Sequence, residues 1–506
     1  MPMLIDARSS FRAAACAVNL AIALLLNACG GGNGPAPNFG VGGQLPSAAS
    51  LAEKCQAPRS AGTIDPETGK PYGDVAGSVA DEKAWLRAWT DETYLWYGDV
   101  RALDAAVLVP TRYATPIDYF AVLKSPLKTS SGAPKDRFHF TEDTAVWQGL
   151  ANDGASIGYG AQFAILASSP PRKTLVVYTQ ADSPASRAGV ARGSELLSAD
   201  GVDAINADSA ADITTLNAAV FPQQIGRHSF TFLDPDGAHS RTVTLLAQSI
   251  TEASVLQSGT LPAPQQDVGY IVFNHHFATA ESELVKAIGT LQSAHVSDLV
   301  LDMRYNGGGL LDIASELAYM IAGPAQTGGK FFSVIQFNDR NPFPGAVTQT
   351  PFYDQARDFS VARGTPLPHL DLKRVYVLSE PGTCSASEAV INGLRGVDVD
   401  VVQIGGVTCG KPYGFFPQDN CSTTYFSIQM HLVNAKGFGD YADGIAPTCP
   451  AADDLSHALG DPNESLLADA LTYRATGSCA VGGKVAQTQP ALSLIRSPMR
   501  EIGYLR

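Results

Sequence analysis

The sequence predicts a multidomain α/β protein, and three observations carry that prediction. Its 506 residues, 45% hydrophobic and 17% charged, can fill more than one packed core, with about three domains as the expectation. Beyond about residue 266, buried-strand patterns alternate with helical ones, as a layered α/β architecture requires. Ahead of that stretch lie a helical segment and then a β-rich one.

At the N-terminus, Arg8 and Arg12 precede an apolar run from Ala13 to Leu26. The run is too short for a comfortable membrane span and suits the core of a signal peptide. It closes on Leu26-Asn27-Ala28-Cys29, which resembles a bacterial lipobox and would make residues 1–29 a lipoprotein leader with Cys29 acylated. Gly30 stands where an Asp would signal inner-membrane retention, so the expectation is an outer-membrane anchor facing the periplasm; a plain secretory signal or an uncleaved anchor is the alternative. Residues 30–75 read as a flexible tether, since Gly30 to Ser50 is rich in Gly, Pro, Ala and Asn.

Residues 76–150 read as a small helical domain. Trp85, Trp89 and Trp96 recur at helical spacing behind Asp81-Glu82, and an aromatic stripe of this kind packs a core. Residues 151–250 form a β-rich module, with runs at Leu175 to Tyr178, Phe230 to Phe232 and Val243 to Leu246. Within it, Ser156-Ile157-Gly158-Tyr159-Gly160 opens a strand, Ser183 to Gly189 starts a short helix, and Gly193 to Leu197 leads to the Asp200-Gly201 turn. In that order the pieces resemble a PDZ domain of the bacterial protease type. The resemblance implies a peptide added as an edge strand, with Ser156, Ile157, Gly158 and Tyr159 forming the binding loop.

Residues 251–480 carry the strand and helix alternation. Tyr270 to Phe273, Leu299 to Met303, Val375 to Leu378 and Val399 to Ile404 read as buried strands. Leu284, Ile288 and Leu291 mark one helix; Leu310, Ala314, Leu317, Ala318 and Ile321 mark another. Phe331 to Pro368, rich in Pro and Gly, reads as a long surface excursion, and residues 481–506 as a loosely docked tail.

The net charge of -14 argues against nucleic-acid partners and against electrostatic membrane binding, which both need a basic patch. Of the eight cysteines, Cys16 lies in the leader and Cys29 is the lipidation candidate. The others, Cys55, Cys384, Cys409, Cys421, Cys449 and Cys479, suit disulfides in an exported protein, with Cys409 to Cys421 as the first pairing because it closes a short loop. No cysteine spacing matches a zinc site, so neither metal nor cofactor is expected.

The chemistry concentrates in three segments. Thr383-Cys384-Ser385-Ala386-Ser387-Glu388 sits between a strand and a helix, where a hydroxyl is exposed and the helix N-terminus favours negative charge. Thr408-Cys409-Gly410-Lys411-Pro412 follows the next strand and places a lysine at the same sheet edge. Serine needs a base, and a desolvated lysine serves as one. Asp302-Met303-Arg304-Tyr305-Asn306-Gly307-Gly308-Gly309 ends a buried strand with glycines that present backbone N–H groups, as an oxyanion hole requires. A phosphate loop is the rival reading, but no Gly-Lys-Ser/Thr follows. Arg304 and Asp302 suit a structural role holding the glycine loop, and His139 and His275-His276 suit satisfied or surface imidazoles rather than metal ligands.

Together these segments resemble the tail-specific, or C-terminal processing, peptidases, over roughly residues 80 to 450. The resemblance implies a crotonase-like α/β protease core with an inserted PDZ-like domain, and endoproteolysis of polypeptides at unfolded or C-terminally exposed segments. By the same motifs Ser385 would be the nucleophile and Lys411 the general base. Ala386 and Gly308 would be the oxyanion donors, and Asp443-Gly444-Ile445-Ala446-Pro447 the closing segment. The chain departs from the family's pattern at Gly396, where some members have Asp, and at Phe415, where others have Gln. Glu388 is the remaining candidate to orient Lys411. Alternatives are a catalytically silent peptide-binding adaptor, a hydrolase of another acyl substrate, and Cys384 as nucleophile.

Overall fold

The computed structural model of the protein describes residues 45–66, 68–341, 348–480 and 493–494. The leader, Cys29 and the first part of the tether lie outside the described residues. The chain forms two units. One comprises residues up to Ala145 with Ile335–Thr348 and Tyr413–His431; the other comprises Val146–Val334, Gln349–Pro412 and Leu432 onward.

In the first unit, helix α1 (Val79–Thr93) starts where Ser78 Oγ accepts the Asp81 N–H at 3.3 Å, with Asp81 and Glu82 in its first turn. Trp85 and Trp89 stack at 5.3 Å on one face, and Tyr425 packs against Trp85 at 5.4 Å. Tyr425 lies in the strand Thr423–Phe426, which pairs antiparallel with Phe140–Asp143. Residues 413–431, expected in the protease core, thus complete the aromatic core of this unit. Trp96 lies beyond the helix end and meets Tyr94 edge-on at 5.7 Å, so it is not part of the helical stripe.

Two expectations fail here for one reason. The described end of the tether is ordered, with a helical turn at Ala48–Leu51 and a strand at Lys54–Cys55, because Cys55 is bonded to Cys421. Cys421 is therefore not bonded to Cys409; the other two pairs are Cys384–Cys409 and Cys449–Cys479. Short sequence separation favours a pairing only when the fold brings the β-carbons within reach.

The second unit begins with the β-rich module: β1 (Ala155–Gly158), β2 (Ala161–Ala167), β3 (Lys173–Thr179), β4 (Glu195–Ala199), α2 (Ala210–Val220), β5 (Gly226–Leu233) and β6 (Ser240–Thr251). The strands run β2-β3-β4-β5-β6-β1 across the sheet. Phe163, Val176, Phe230, Phe232 and Leu245 pack with Leu216 and Ala219 of α2. Tyr159 belongs to this core, its hydroxyl donating to Ala219 O at 2.8 Å, and Ser156 Oγ donates to Glu252 at 2.8 Å. Ile157 pairs with Ser249 and Gly158 with Gln248 of β6. In this loop the side chains of Ser156 and Tyr159 already have partners within the chain.

The α/β core follows as β7 (Val255–Thr260), β8 (Val268–Phe273), α3 (Ala280–Ser293), β9 (Asp298–Asp302), α4 (Leu311–Thr327), β10 (Arg374–Ser379), α5 (Ala386–Gly396), β11 (Asp400–Gly405), β12 (Cys449–Pro450) and α6 (Ser465–Thr476). Its sheet runs β7 through β12 in sequence order, antiparallel at β7/β8 and parallel thereafter. Strand side chains alternate between two buried faces. Ile271, Phe273, Leu299, Leu301, Val375 and Val377 pack on α3, α4 and α5. Tyr270, Val272, Val300, Tyr376, Val402 and Ile404 pack on Leu466, Leu467 and Ala470 of α6. Burial on both faces is why these strands read as continuous apolar runs. The stretch from Phe331 is not only a surface excursion: strand Phe331–Phe337 pairs with Gln349–Pro351, and Phe332, Phe352 and Leu367 are buried in the core.

Candidate active site

The parallel strands β9, β10 and β11 end side by side, and the three motif segments leave from those ends. After β10 the chain turns through Glu380 to Cys384 and enters α5 at Ala386. Ser385 sits at the corner with φ 56° and ψ -115°, a backbone conformation that costs a non-glycine residue of order 1–3 kcal/mol. The corner persists because it is tied on every side. Thr383 Oγ1 donates to Met303 O at 2.9 Å, Cys384 N–H to Asn306 O at 3.1 Å, and Ser387 Oγ to the same carbonyl at 3.1 Å.

The glycine loop lies against this corner. A β-carbon on Gly308 would sit 2.8 Å from Ser385 Cβ and 2.9 Å from Ala386 N, so only glycine permits the approach. The Gly308 N–H, expected as an oxyanion donor, instead donates to Asn306 Oδ1 at 2.9 Å. That is a correction, and the competing acceptor is the side chain two residues earlier. Ala386 opens α5, so its N–H is among the first-turn donors that have no intrahelical acceptor.

Lys411 is buried, with 7% of its surface exposed, at the end of the loop that follows β11. Glu388 joins this loop to the corner. Its carboxylate accepts from Ser385 N–H at 3.0 Å, Lys411 N–H at 2.8 Å, Gly410 N–H at 2.8 Å and Thr408 Oγ1 at 2.5 Å. Burial pushes its carboxyl up from the ordinary value, against the downward pull of those four donors. Glu388 thus reaches Lys411 through the backbone. The Cys384–Cys409 disulfide adds a covalent tie between the same two loops, one residue before Ser385 and two before Lys411. It also removes Cys384 as a free thiol. The closing segment holds the lysine loop from the other side, with Ile445 N–H donating to Thr408 Oγ1 at 2.7 Å and Thr408 N–H to Ile445 O at 3.2 Å.

Arg304 and Asp302 are structural. Arg304 is fully buried and bonds Asp302 at 2.9 Å, Asp453 at 2.7 Å and Glu464 at 2.7 Å, fixing β9 to α6. Phe415 packs within the first unit against Phe426 at 5.2 Å, and a β-carbon on Gly396 would meet Asn434 Cβ at 2.9 Å. Among the described residues, the group able to offer three metal-ligand atoms is Cys384, Glu388 and Cys409, whose two sulfurs are bonded to each other.

Two contributors are hard to see in sequence. Asn306 is a hub: besides the bonds above, its Nδ2 donates to Phe273 O at 2.8 Å, and its Oδ1 faces His276 Nδ1 at 3.1 Å. His276 is buried, and the loss of water pushes its pKa down to about 3, so the ring is neutral. Its backbone clasps the glycine loop, Leu310 N–H donating to His276 O at 2.9 Å. Position in the motif flags Asn306, whereas nothing local distinguishes His276 from a surface imidazole.

The Ser385 corner, a buried lysine and a glycine loop thus lie on adjoining parallel strand ends, and residues 267–448 match peptidase family S41. That span holds β8 to β11 and all three motifs. The chain is 30% identical over 136 residues to a carboxyl-terminal-processing protease of Picosynechococcus sp., covering 27% of this chain and 32% of that protein. A solved structure of a Bacteroides fragilis protein assigned to the S41 proteases superposes with a TM-score of 0.59 at 22% identity, covering 80% of this chain and 98% of that one. That likeness supports the multidomain α/β fold.

Proposed function

We propose that this protein is a serine endopeptidase that cuts polypeptides, at unfolded or C-terminally exposed segments, with a Ser385/Lys411 dyad. The observation that carries the reading is the Glu388 carboxylate, which accepts both the Ser385 and the Lys411 backbone N–H and so fixes nucleophile and base as one unit. Neutral Lys411 Nζ takes the Ser385 hydroxyl proton as Oγ attacks the scissile carbonyl carbon. The oxyanion is held by the Ala386 N–H, a first-turn donor of α5 without an intrahelical acceptor. The lysine ammonium then protonates the departing amine, and water, deprotonated by Lys411, releases the acyl group from Ser385.

The β-rich module would supply substrate by strand addition, and Cys29 would carry a lipid that holds the enzyme at the outer membrane, facing the periplasm. With unfolded casein as substrate, Ser385→Ala and Lys411→Ala are each expected to lower kcat by a factor on the order of 10⁴ or more. Undiminished cleavage by Ser385→Ala would sink the proposal. Metabolic labelling with palmitate tests the anchor, and label should disappear in Cys29→Ser.

A further inference from the structure

Strand β2 ends the order of the module's own strands, and its outer edge is not left bare. Strand β13 (Ser493–Leu494), from the C-terminal segment, pairs antiparallel with it, Ser493 opposite Ile165 and Leu494 opposite Ala164. An edge strand offers a row of N–H and C=O groups to any extended chain, and here the acceptor strand directly follows the Ser156 to Gly160 loop. Leu494 is half-buried in an apolar cluster with Ala164, Val177, Tyr178 and Tyr305. It also reaches the nucleophile corner: a β-carbon on Gly382, three residues before Ser385, would lie 3.6 Å from Leu494 Cδ1.

We propose that the chain's own strand Ser493–Leu494 is a resident ligand of the β2 edge, which an extended, leucine-bearing polypeptide must displace to bind. The inference rests on the reading of the module as a strand-adding peptide binder. A pairing of two residues is worth little, since each net hydrogen bond contributes about 1 kcal/mol, so displacement is feasible. Tethering nevertheless gives the segment an effective concentration of order millimolar, enough to compete with a free peptide. Because Leu494 packs on the cluster that joins the module to Tyr305, next to the glycine-loop residue Asn306, its departure alters the packing near the Ser385 corner. The device is therefore autoinhibitory.

The test uses the full chain in a Ser385→Ala background, so no cleavage interferes. The probe is a fluorescein-labelled peptide of residues 489–498, Gln-Pro-Ala-Leu-Ser-Leu-Ile-Arg-Ser-Pro. Leu494→Asp in the chain is expected to tighten probe binding roughly tenfold, by removing the tethered competitor. It should also speed hydrogen exchange of the β2 amides. Equal affinity with and without the substitution, or unchanged exchange at β2, would overturn the proposal. With Ser385 intact, Leu494→Asp should raise casein cleavage. A chain that binds as expected but cleaves nothing in either form would support the resident-ligand proposal and overturn the peptidase reading.

Discussion

Glu388 on α5 and Glu316 on α4 are fully buried carboxylates on helices packed against each other, and they have opposite fates. Glu388 sits at a helix N-terminus where two loops converge, and four donors from those two loops close on it. Glu316 lies inside its helix with no hydrogen-bond partner on either carboxylate oxygen. Burial and the neighbouring Glu281 push its pKa up to about 9, so it keeps its proton at neutral pH. Glu281 itself is met by the backbone N–H groups of Arg357, Phe359, Ser360 and Val361. Buried carboxylates therefore connect elements where backbone donors converge, and hold protons where none do.

The largest test of this contrast is Glu388→Gln. One carboxylate oxygen becomes an amide donor facing N–H groups that already donate, so the tie breaks at one end. Kinetics should show kcat lowered by roughly 100-fold, with about 2 kcal/mol of stability lost, the scale for buried donors left without an acceptor. An unchanged kcat would mean that Ser385 and Lys411 are positioned without Glu388. The double replacement Cys384→Ser with Cys409→Ser removes the covalent tie while leaving the carboxylate in place. It should cost about 3 kcal/mol in urea unfolding and lower kcat by about tenfold with KM unchanged.

The pH dependences are smaller. His276 is neutral in the fold, whereas an ordinary histidine titrates at 6.5, so its stabilisation is complete above pH 6.5 and is lost as pH falls from there toward about 3. His276→Asn keeps a donor for Asn306 and should flatten thermal stability across that window. Glu316 has the opposite sign. The unfolded carboxyl ionises near 4.5 and the folded one near 9, so stability falls as pH rises through that interval. Glu316→Gln should therefore leave Tm unchanged at pH 4 and raise it by about 2–4 °C at pH 8. No difference between the two pH values would place Glu316 in contact with water.

Much of this arrangement is legible in the sequence because its signals are local. Buried parallel strands read as apolar runs, and strand, glycines and helix in succession mark a backbone that must approach another closely. Ser385, Lys411 and the glycine loop are found that way. What escapes is contact between distant segments. Cys55 meets Cys421, residues 413–431 complete the first unit, and Ser493–Leu494 reaches β2, none of which leaves a local pattern. The acceptor of the Gly308 N–H escapes for a related reason: the motif shows which residues are near, but not that Asn306 Oδ1 captures that donor.

Cleavage-product analysis shows directly whether Ser385 and Lys411 act as one unit. A denatured protein incubated with the intact chain, with Lys411→Ala and with Ser385→Ala should yield, by mass spectrometry, one reproducible set of peptides from the first and none from the variants. The same peptides from Lys411→Ala at a comparable rate would contradict the account, because some other group would then be the base for Ser385.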